Sequence, residues 1–315
     1  MTSTAADTVG VGRDPLKYAL IAAISLFWGL NWPAVKVILT QVPPLSLRAI
    51  GFTAGAVLML GAARLFGHRL AVDRAERPAL IAAALCNVLV FNLCTAFGQM
   101  AMATSQAAIV AFTMPVWATL LAIPLLGERP GRRQIAGLVC GLAGLLVLLG
   151  PEALSAPPAA LLGPALMLTA AVSWALGTIV MKRRVWRAHP MVITGWQYAL
   201  CAVPMIALSM QETHPALADL RAPVWIGFAW HIVCSICIAQ ALWYVTVRRL
   251  SVGEAAVSTL LIPVVGVSGA VVVLGDPVTL RLAAALVLIL AAVACVLGVK
   301  RPRTVSCGVP AGRGR

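Results

Sequence analysis

The chain has 315 residues, of which 61% are hydrophobic and only 11% charged, with a mean hydropathy of +0.95. Soluble domains carry about 25% charged residues, so a water-facing surface over most of this chain is excluded, whereas hydrocarbon demands no charge at all. The net charge of +14 does not indicate nucleic acid, because the basic residues fall in short clusters between apolar stretches, the pattern of membrane topology signals.

A lipid core about 30 Å thick takes roughly 20 residues of apolar helix. Residues 1–16 are a polar tail (Thr2, Ser3, Thr4, Asp7, Arg13, Asp14) without the apolar core or cleavage site of a signal peptide. The first predicted span, 17–39, holds Phe27-Trp28-Gly29-Leu30-Asn31-Trp32 and ends near Lys36. Trp28 lies too far inside it for the interfacial belt where Trp anchors collect, and is expected to line a cavity, with Asn31 about one turn away. The second span, 44–66, starts at Pro43-Pro44 and carries Arg48, which either snorkels to the headgroups or attracts an anionic solute group. Its Gly51 and Gly55, like Gly137 and Gly141 later, have the spacing of close helix packing.

The third span, 79–100, repeats Asn87, Phe91, Thr95 and Gly98 or Gln99 at intervals of three or four. Such a polar-aromatic stripe faces a substrate or makes interhelical hydrogen bonds. The fourth, 104–126, contains Pro115, and the ninth, 253–274, contains Pro263. Each is expected to kink its helix and act as a hinge. Glu128 is expected to pair with Arg129, and Glu254 with Arg248 or Arg249. The fifth span is 132–150, and a linker, 151–160, precedes the sixth at 161–182, which contains Trp174. The seventh is 190–210.

The eighth span, 222–247, contains His231, Ser235, Gln240 and Trp243. An intramembrane histidine is either a proton carrier or a neutral hydrogen-bonding group. His231 and Gln240 are nine positions apart, so an ideal α-helix turns them to opposite faces. The tenth span, 280–299, is followed by a basic tail, 300–315.

Twenty of the 24 Lys and Arg fall on one side of this ten-span arrangement, leaving Lys36, Arg48, Arg221 and Arg281 on the other. Cytoplasmic loops carry that excess, so both termini are expected in the cytoplasm of a cell with a bacterial-type inner membrane. All ten Asp and Glu sit in loops, tails or helix ends. No midspan acid is available as a proton or sodium relay, which predicts facilitative transport or weak coupling through His231. Of the eight cysteines, Cys234 and Cys237 form a C-x-x-C, but without a βαβ pattern they are expected to be helix-packing residues. No metal-spaced cluster occurs, and no cofactor is expected.

The chain repeats itself. Gln106-Ala107-Ala108-Ile109, Pro115-Val116 and Leu126-Gly127-Glu128 match Glu254-Ala255-Ala256-Val257, Pro263-Val264 and Leu274-Gly275-Asp276 at a constant offset of 148. Trp28 matches Trp174, and Lys36 matches Lys182, at an offset of 146. Spans 1–5 thus correspond to 6–10. Five is odd, so the second copy lies inverted in the membrane. The predicted fold is an all-α integral membrane protein, ten transmembrane helices as two inverted five-helix repeats, 17–150 and 161–299. Inverted repeats with a site between them are a transporter architecture.

The helix-1 stretch Phe27 to Trp32, Pro44 with Arg48, and Gln106 to Pro115 ending in Gly127-Glu128-Arg129, with its echo in the second half, resemble the EamA family of the drug/metabolite transporter superfamily. The resemblance covers residues 18–299. It implies a ten-helix carrier, commonly an exporter of amino acids or other metabolites, with a cavity between helices 1–4 and 6–9 and with helices 5 and 10 peripheral. The second copy departs from the first in having Asp276-Pro277 where the first has Glu128-Arg129.

The candidate cavity residues are Trp28, Asn31, Asn87, Phe91, Thr95, Gln99, Trp174, His231, Gln240 and Trp243. The expected partners are a small-molecule solute and membrane lipids, with no nucleic acid, and a homodimer is left open. A membrane enzyme is the chief rival, but H-E-x-x-H, P-loop and Gly-x-Ser-x-Gly patterns are missing. A receptor has no sensory domain here to support it, and saturable exchange would separate a carrier from a channel.

Overall fold

The computed structural model describes residues 15–151, 156–249 and 252–297, and these fold into helices joined by short connections. The expectations for the first fourteen residues and the basic tail lie outside the described residues, as do those for the side chains of Arg248, Arg249 and Glu254. Eight helices are long and apolar enough to cross a membrane: α1 (Tyr18–Ile38), α2 (Pro44–Leu65), α3 (Arg77–Ala101), α4 (Thr104–Leu126), α5 (Arg132–Leu149), α6 (Pro158–Lys182), α7 (Pro190–Ser209) and α8 (Ala222–Trp243). Two more apolar helices follow, α9 (Val252–Leu274) and α10 (Leu280–Leu297). Valines 57, 203, 272 and 287 point outward, as side chains solvated by lipid do.

Backbone chemistry sets the helix ends. Pro44, Pro158 and Pro190 stand at first helical positions, where the missing N–H costs nothing. Gly127 and Gly275, equivalent by the internal repeat, end α4 and α9 at φ 66° and 73°, a left-handed conformation that closes a helix and that β-carbons disfavour. The start of α2 is capped from a distant loop. Glu212 accepts from the Leu45 N–H (3.0 Å), the Ser46 N–H (2.8 Å) and the Ser46 hydroxyl (2.7 Å), placing a negative charge at the positive end of the helix.

Much of the packing pairs helices that correspond under the internal repeat. α2 packs on α7, α5 on α10 and α4 on α9, each a helix against its own counterpart. α3 with α6 mirrors α8 with α1, and α1 with α9 mirrors α6 with α4. Close approach comes from small residues. A β-carbon at Gly55 would meet Tyr198 at 3.0 Å, and one at Gly144 would meet Ile289 and Leu288 at 3.1 Å. A β-carbon at Gly141 would strike Val116.

Three local departures from regular α-helix matter for the interior. α1 breaks at Leu30, between Pro15–Gly29 and Asn31–Ile38. α4 is interrupted between Thr104–Ala111 and Met114–Leu126. α3 and α8 are π-helical over Ala84–Val90 and Trp230–Ala239, equivalent positions in the two halves, and wide turns of this kind occur mostly at functional sites. The two prolines, expected to kink their helices alike, sit differently in them. Pro115 starts a fresh helix after the interruption, in the first turn where proline is tolerated, whereas Pro263 sits inside an unbroken α9.

Candidate substrate cavity

A cavity of about 950 Å³ lies between the two halves. Trp28, Asn31, Asn87, Phe91, Thr95, Gln99, Trp174, His231, Gln240 and Trp243 all line it, and so does Pro115. Pro263 is not among its lining residues. Helices α5 and α10 contribute only Gln134 and Val293 and pack chiefly on each other.

The equivalent tryptophans Trp28 and Trp174 face the cavity from opposite halves. Trp28 is held in two ways. Its indole N–H donates to the Ser235 carbonyl at 3.2 Å, and its ring lies 5.7 Å from that of Trp243 at 50°. Trp32 faces Phe112 at 6.2 Å. The break in α1 leaves the Phe27 carbonyl without a helical donor of its own, and it accepts from the Ser235 hydroxyl (2.8 Å) and the Trp230 indole (3.3 Å). The broken turn of α1 and the π turns of α8 therefore satisfy each other's backbone, which a membrane interior requires.

His231 is buried, and its Nδ1 lies 2.8 Å from Asn31 Oδ1. With the amide oxygen accepting, the ring carries its proton on Nδ1. Its Nε2 faces Gly51, where a β-carbon would come within 3.0 Å. Gly51 thus serves the histidine as well as helix packing.

His231 and Gln240, which an ideal α-helix would turn to opposite faces, both border the cavity. Nine residues make two and a half α turns, but π-helical turns, bonded i→i+5, take more residues each. Over Trp230–Ala239 nine residues come close to two whole turns. Periodicity in the sequence could not show this, because the spacing rule assumes α geometry. In α3, Asn92 also borders the cavity, on the same α-helical face as Thr95 and Gln99. Trp32 and Tyr198, also in the lining, directly follow Asn31 and Gln197, which line it too.

Arg48 does not snorkel. It is 2% exposed and borders the cavity. Its Nε donates to the Asn92 carbonyl at 2.9 Å and its Nη2 to the Thr95 hydroxyl at 3.3 Å. Thr95 in turn donates to Asn92 O at 3.0 Å, and the Asn92 amide donates to Val88 O at 2.8 Å. Thr95 of the predicted stripe is thus both a lining residue and an interhelical bond. Asn87 presses against α6, where a β-carbon at Gly177 would strike its amide.

The cavity lining reaches Glu128 and Lys182 at the C-terminal ends of α4 and α6. These two pair at 2.6 Å, correcting the expected Glu128–Arg129 pair. Arg183 donates to the Leu125 carbonyl beside them. At the other end the helices are also tied together. Lys36 Nζ donates to Gln99 O, and Asp276 accepts from the Ser105 N–H at 2.8 Å. Cys234 and Cys237 are free thiols, and among the described residues no cluster of metal-binding side chains occurs.

Comparison with known proteins agrees with this architecture. A family model described as "EamA-like transporter family" matches twice, over residues 16–150 and 161–298. The "Probable amino-acid metabolite efflux pump" of Salmonella typhimurium is 27% identical, with 86% of this chain and 91% of that protein covered. The "Uncharacterized inner membrane transporter YedA" of Escherichia coli is 28% identical, covering 79% and 80% respectively. A crystal structure of a protein 22% identical superposes with a TM-score of 0.64 over 89% of this chain and 96% of its own, a likeness of fold.

Proposed function

The chain belongs to the EamA-like transporter family, and on that premise we propose that it is a ten-helix alternating-access carrier that exports amino acids or related small metabolites. Two inverted repeats, 17–150 and 161–299, would frame the solute path of a multi-pass protein in a bacterial-type inner membrane. The observation that carries this reading is the 950 Å³ cavity lined from both halves, through Trp28 on one side and Trp174 on the other. Exchanging the conformations of two similar halves of opposite orientation yields inward-open and outward-open states of similar energy.

The positive-inside excess puts the Glu128–Lys182 end and both termini in the cytoplasm. The cavity lining reaches that end, so this conformation is read as inward-facing, with the Lys36 and Asp276 end closed. Trp28, Asn31, Asn87, Phe91, Thr95, Gln99, Trp174, His231, Gln240 and Trp243 form the solute-facing surface, and Pro115 serves as the hinge beside the interrupted turn of α4. The efflux pump of Salmonella typhimurium supports export of amino-acid metabolites as the first class to try. Among the described residues Glu128, at the C-terminal end of α4, is the one carboxylate in the lining, which supports facilitative transport.

The test is counterflow in proteoliposomes with pooled labelled amino acids, nucleosides and sugars, run with and without a pH gradient. Saturable exchange of one class, insensitive to the gradient, is the expected result. Flux that never saturates would replace the carrier by a channel, and no flux of any class would remove this reading.

A further inference from the structure

Most polar groups of the cavity are occupied by the protein itself. Asn31 engages His231, and Ser235 engages Phe27. Asn87 Oδ1 and Gln99 Oε1 have no hydrogen-bond partner, and Arg48, a buried cation of the lining, is only partly engaged. A guanidinium has five N–H donors in a planar fork and cannot lose its charge. Asn92 O and Thr95 Oγ1 take Nε and Nη2. These lie on one edge of the plane, so the anchoring holds the group rigid while the opposite edge, Nη1 with the second N–H of Nη2, has no acceptor among the described residues. No carboxylate of the described residues pairs with it either.

Taking a cation out of water is costly unless a counter-charge is present. Charged side chains in a membrane interior pair with one another or with backbone carbonyls, or face a cavity. Arg48 has one backbone carbonyl and one hydroxyl as acceptors, no counter-charge among the described residues, and a place at the cavity wall. The remaining edge has the parallel N–H pair that a carboxylate accepts in bidentate fashion.

We propose that this edge of Arg48 is a carboxylate subsite, so that the transported solutes are those bearing a carboxylate group on an apolar or aromatic body. The inference rests on reading the chain as a carrier and adds the chemical class of its solute. The lining also includes the aromatic rings of Trp28, Trp174, Trp243 and Phe91, which suit an apolar body, and their faces also accept an ammonium group by cation–π attraction. A single buried cation matches a single negative charge, and a doubly charged phosphate would leave one charge buried without a partner. Amino acids and simple organic acids share this chemistry.

The test uses the purified full chain in detergent. Binding is read from tryptophan fluorescence and from the thermal midpoint, with the common amino acids and with aromatic and aliphatic monocarboxylic acids, each beside its primary carboxamide. A charge-assisted pair predicts acids binding about tenfold tighter than their amides, or more. In Arg48→Gln that preference disappears while amide binding survives, and Arg48→Lys keeps part of it. Acids without an amino group binding as well as amino acids would assign the site to carboxylates in general, and amino acids alone would assign it to the zwitterion.

Equal binding of acid and amide by the wild type overturns the proposal, as does an Arg48→Gln protein that keeps the preference. If Arg48→Gln does not fold, the wild-type comparison decides alone. Saturable exchange of a neutral solute with no binding of acids would remove the subsite and leave the carrier standing. Failure of every solute to bind or exchange would remove both.

Discussion

Glu128 holds Lys182 at 2.6 Å, joining α4 to α6 at the end the cavity reaches, while the residues at the matching places of the repeat are bonded elsewhere. Those counterparts are Asp276 and Lys36, which bond the Ser105 N–H and the Gln99 carbonyl. The two ends of the molecule therefore carry one charge pattern in two bonding states. In an alternating carrier, the Glu128–Lys182 pair belongs to one state and weights the equilibrium towards it.

The pair is exposed, so its worth is at most about 1 kcal/mol, or roughly fivefold in an equilibrium. Glu128→Gln and Lys182→Met should each change initial transport rates by no more than that, and the double charge swap should return the rate towards wild type. Rates measured in proteoliposomes at low and high salt check this. A loss of orders of magnitude in either single variant would mean a direct role in solute binding.

Trp28 is held by Ser235 O and by the Trp243 ring at the cavity wall. Trp28→Ala should reduce transport more than it reduces folding, whereas Trp28→Phe keeps an aromatic wall and loses one hydrogen bond, worth about 1 kcal/mol. Flux and thermal midpoint measured on the same preparations separate the two effects. Unchanged flux in the alanine variant at equal expression would take Trp28 out of the solute path.

Asn31 satisfies a buried histidine nitrogen. Asn31→Leu leaves His231 Nδ1 without that partner, which should cost about 1–3 kcal/mol of stability. Asn31→Leu combined with His231→Phe, which removes both polar groups, should recover part of the loss. Thermal unfolding of the two variants in one detergent is the check.

Two glycines predict opposite outcomes for one substitution. At Gly177 a β-carbon would strike the Asn87 amide, whereas at Gly61 nothing lies within 4 Å. Gly177→Ala should lower stability by about 1–3 kcal/mol through overpacking. Gly61→Ala should raise it by about 0.4–1 kcal/mol through the unfolded chain. Midpoints moving in the same direction would contradict the packing of α3 on α6.

Glu212 caps α2 with three hydrogen bonds across 166 residues or more of sequence. Glu212→Ala should cost about 0.5–2 kcal/mol, the range of a lost helix cap, and should leave the affinity of any bound solute unchanged. Thermal midpoints with and without solute measure both.

The positions of the apolar helices, the repeat and some of the residues that border the cavity were legible in the sequence because each depends on residue type and spacing alone. A run of about 20 apolar residues prefers hydrocarbon whatever its neighbours do, and Trp28 with Trp174 or Lys36 with Lys182 can be matched without knowing where they point. The rotation of α8 was not legible. Its π turns bring Gln240 to the same cavity as His231, and whether a helix widens there depends on what packs against it, in this case Trp28 and Phe27 bonding across to Ser235. The partner of Glu128 was hidden for a similar reason. Arg129 is its neighbour in the chain, but Lys182 is its neighbour in space.

The sequence by itself determined that this chain is a bundle of membrane helices in two related halves, because transfer of each segment to lipid and the placement of its flanking charges are local energies. Only the tertiary structure decided that Arg48 is buried with one edge of its guanidinium unused, that α4 breaks before Pro115 while α9 runs through Pro263, and that Lys182 rather than Arg129 is the partner of Glu128. Those outcomes depend on close contacts between helices, where a glycine or a single backbone bond sets the rotation, and such contacts come into existence only when the helices meet.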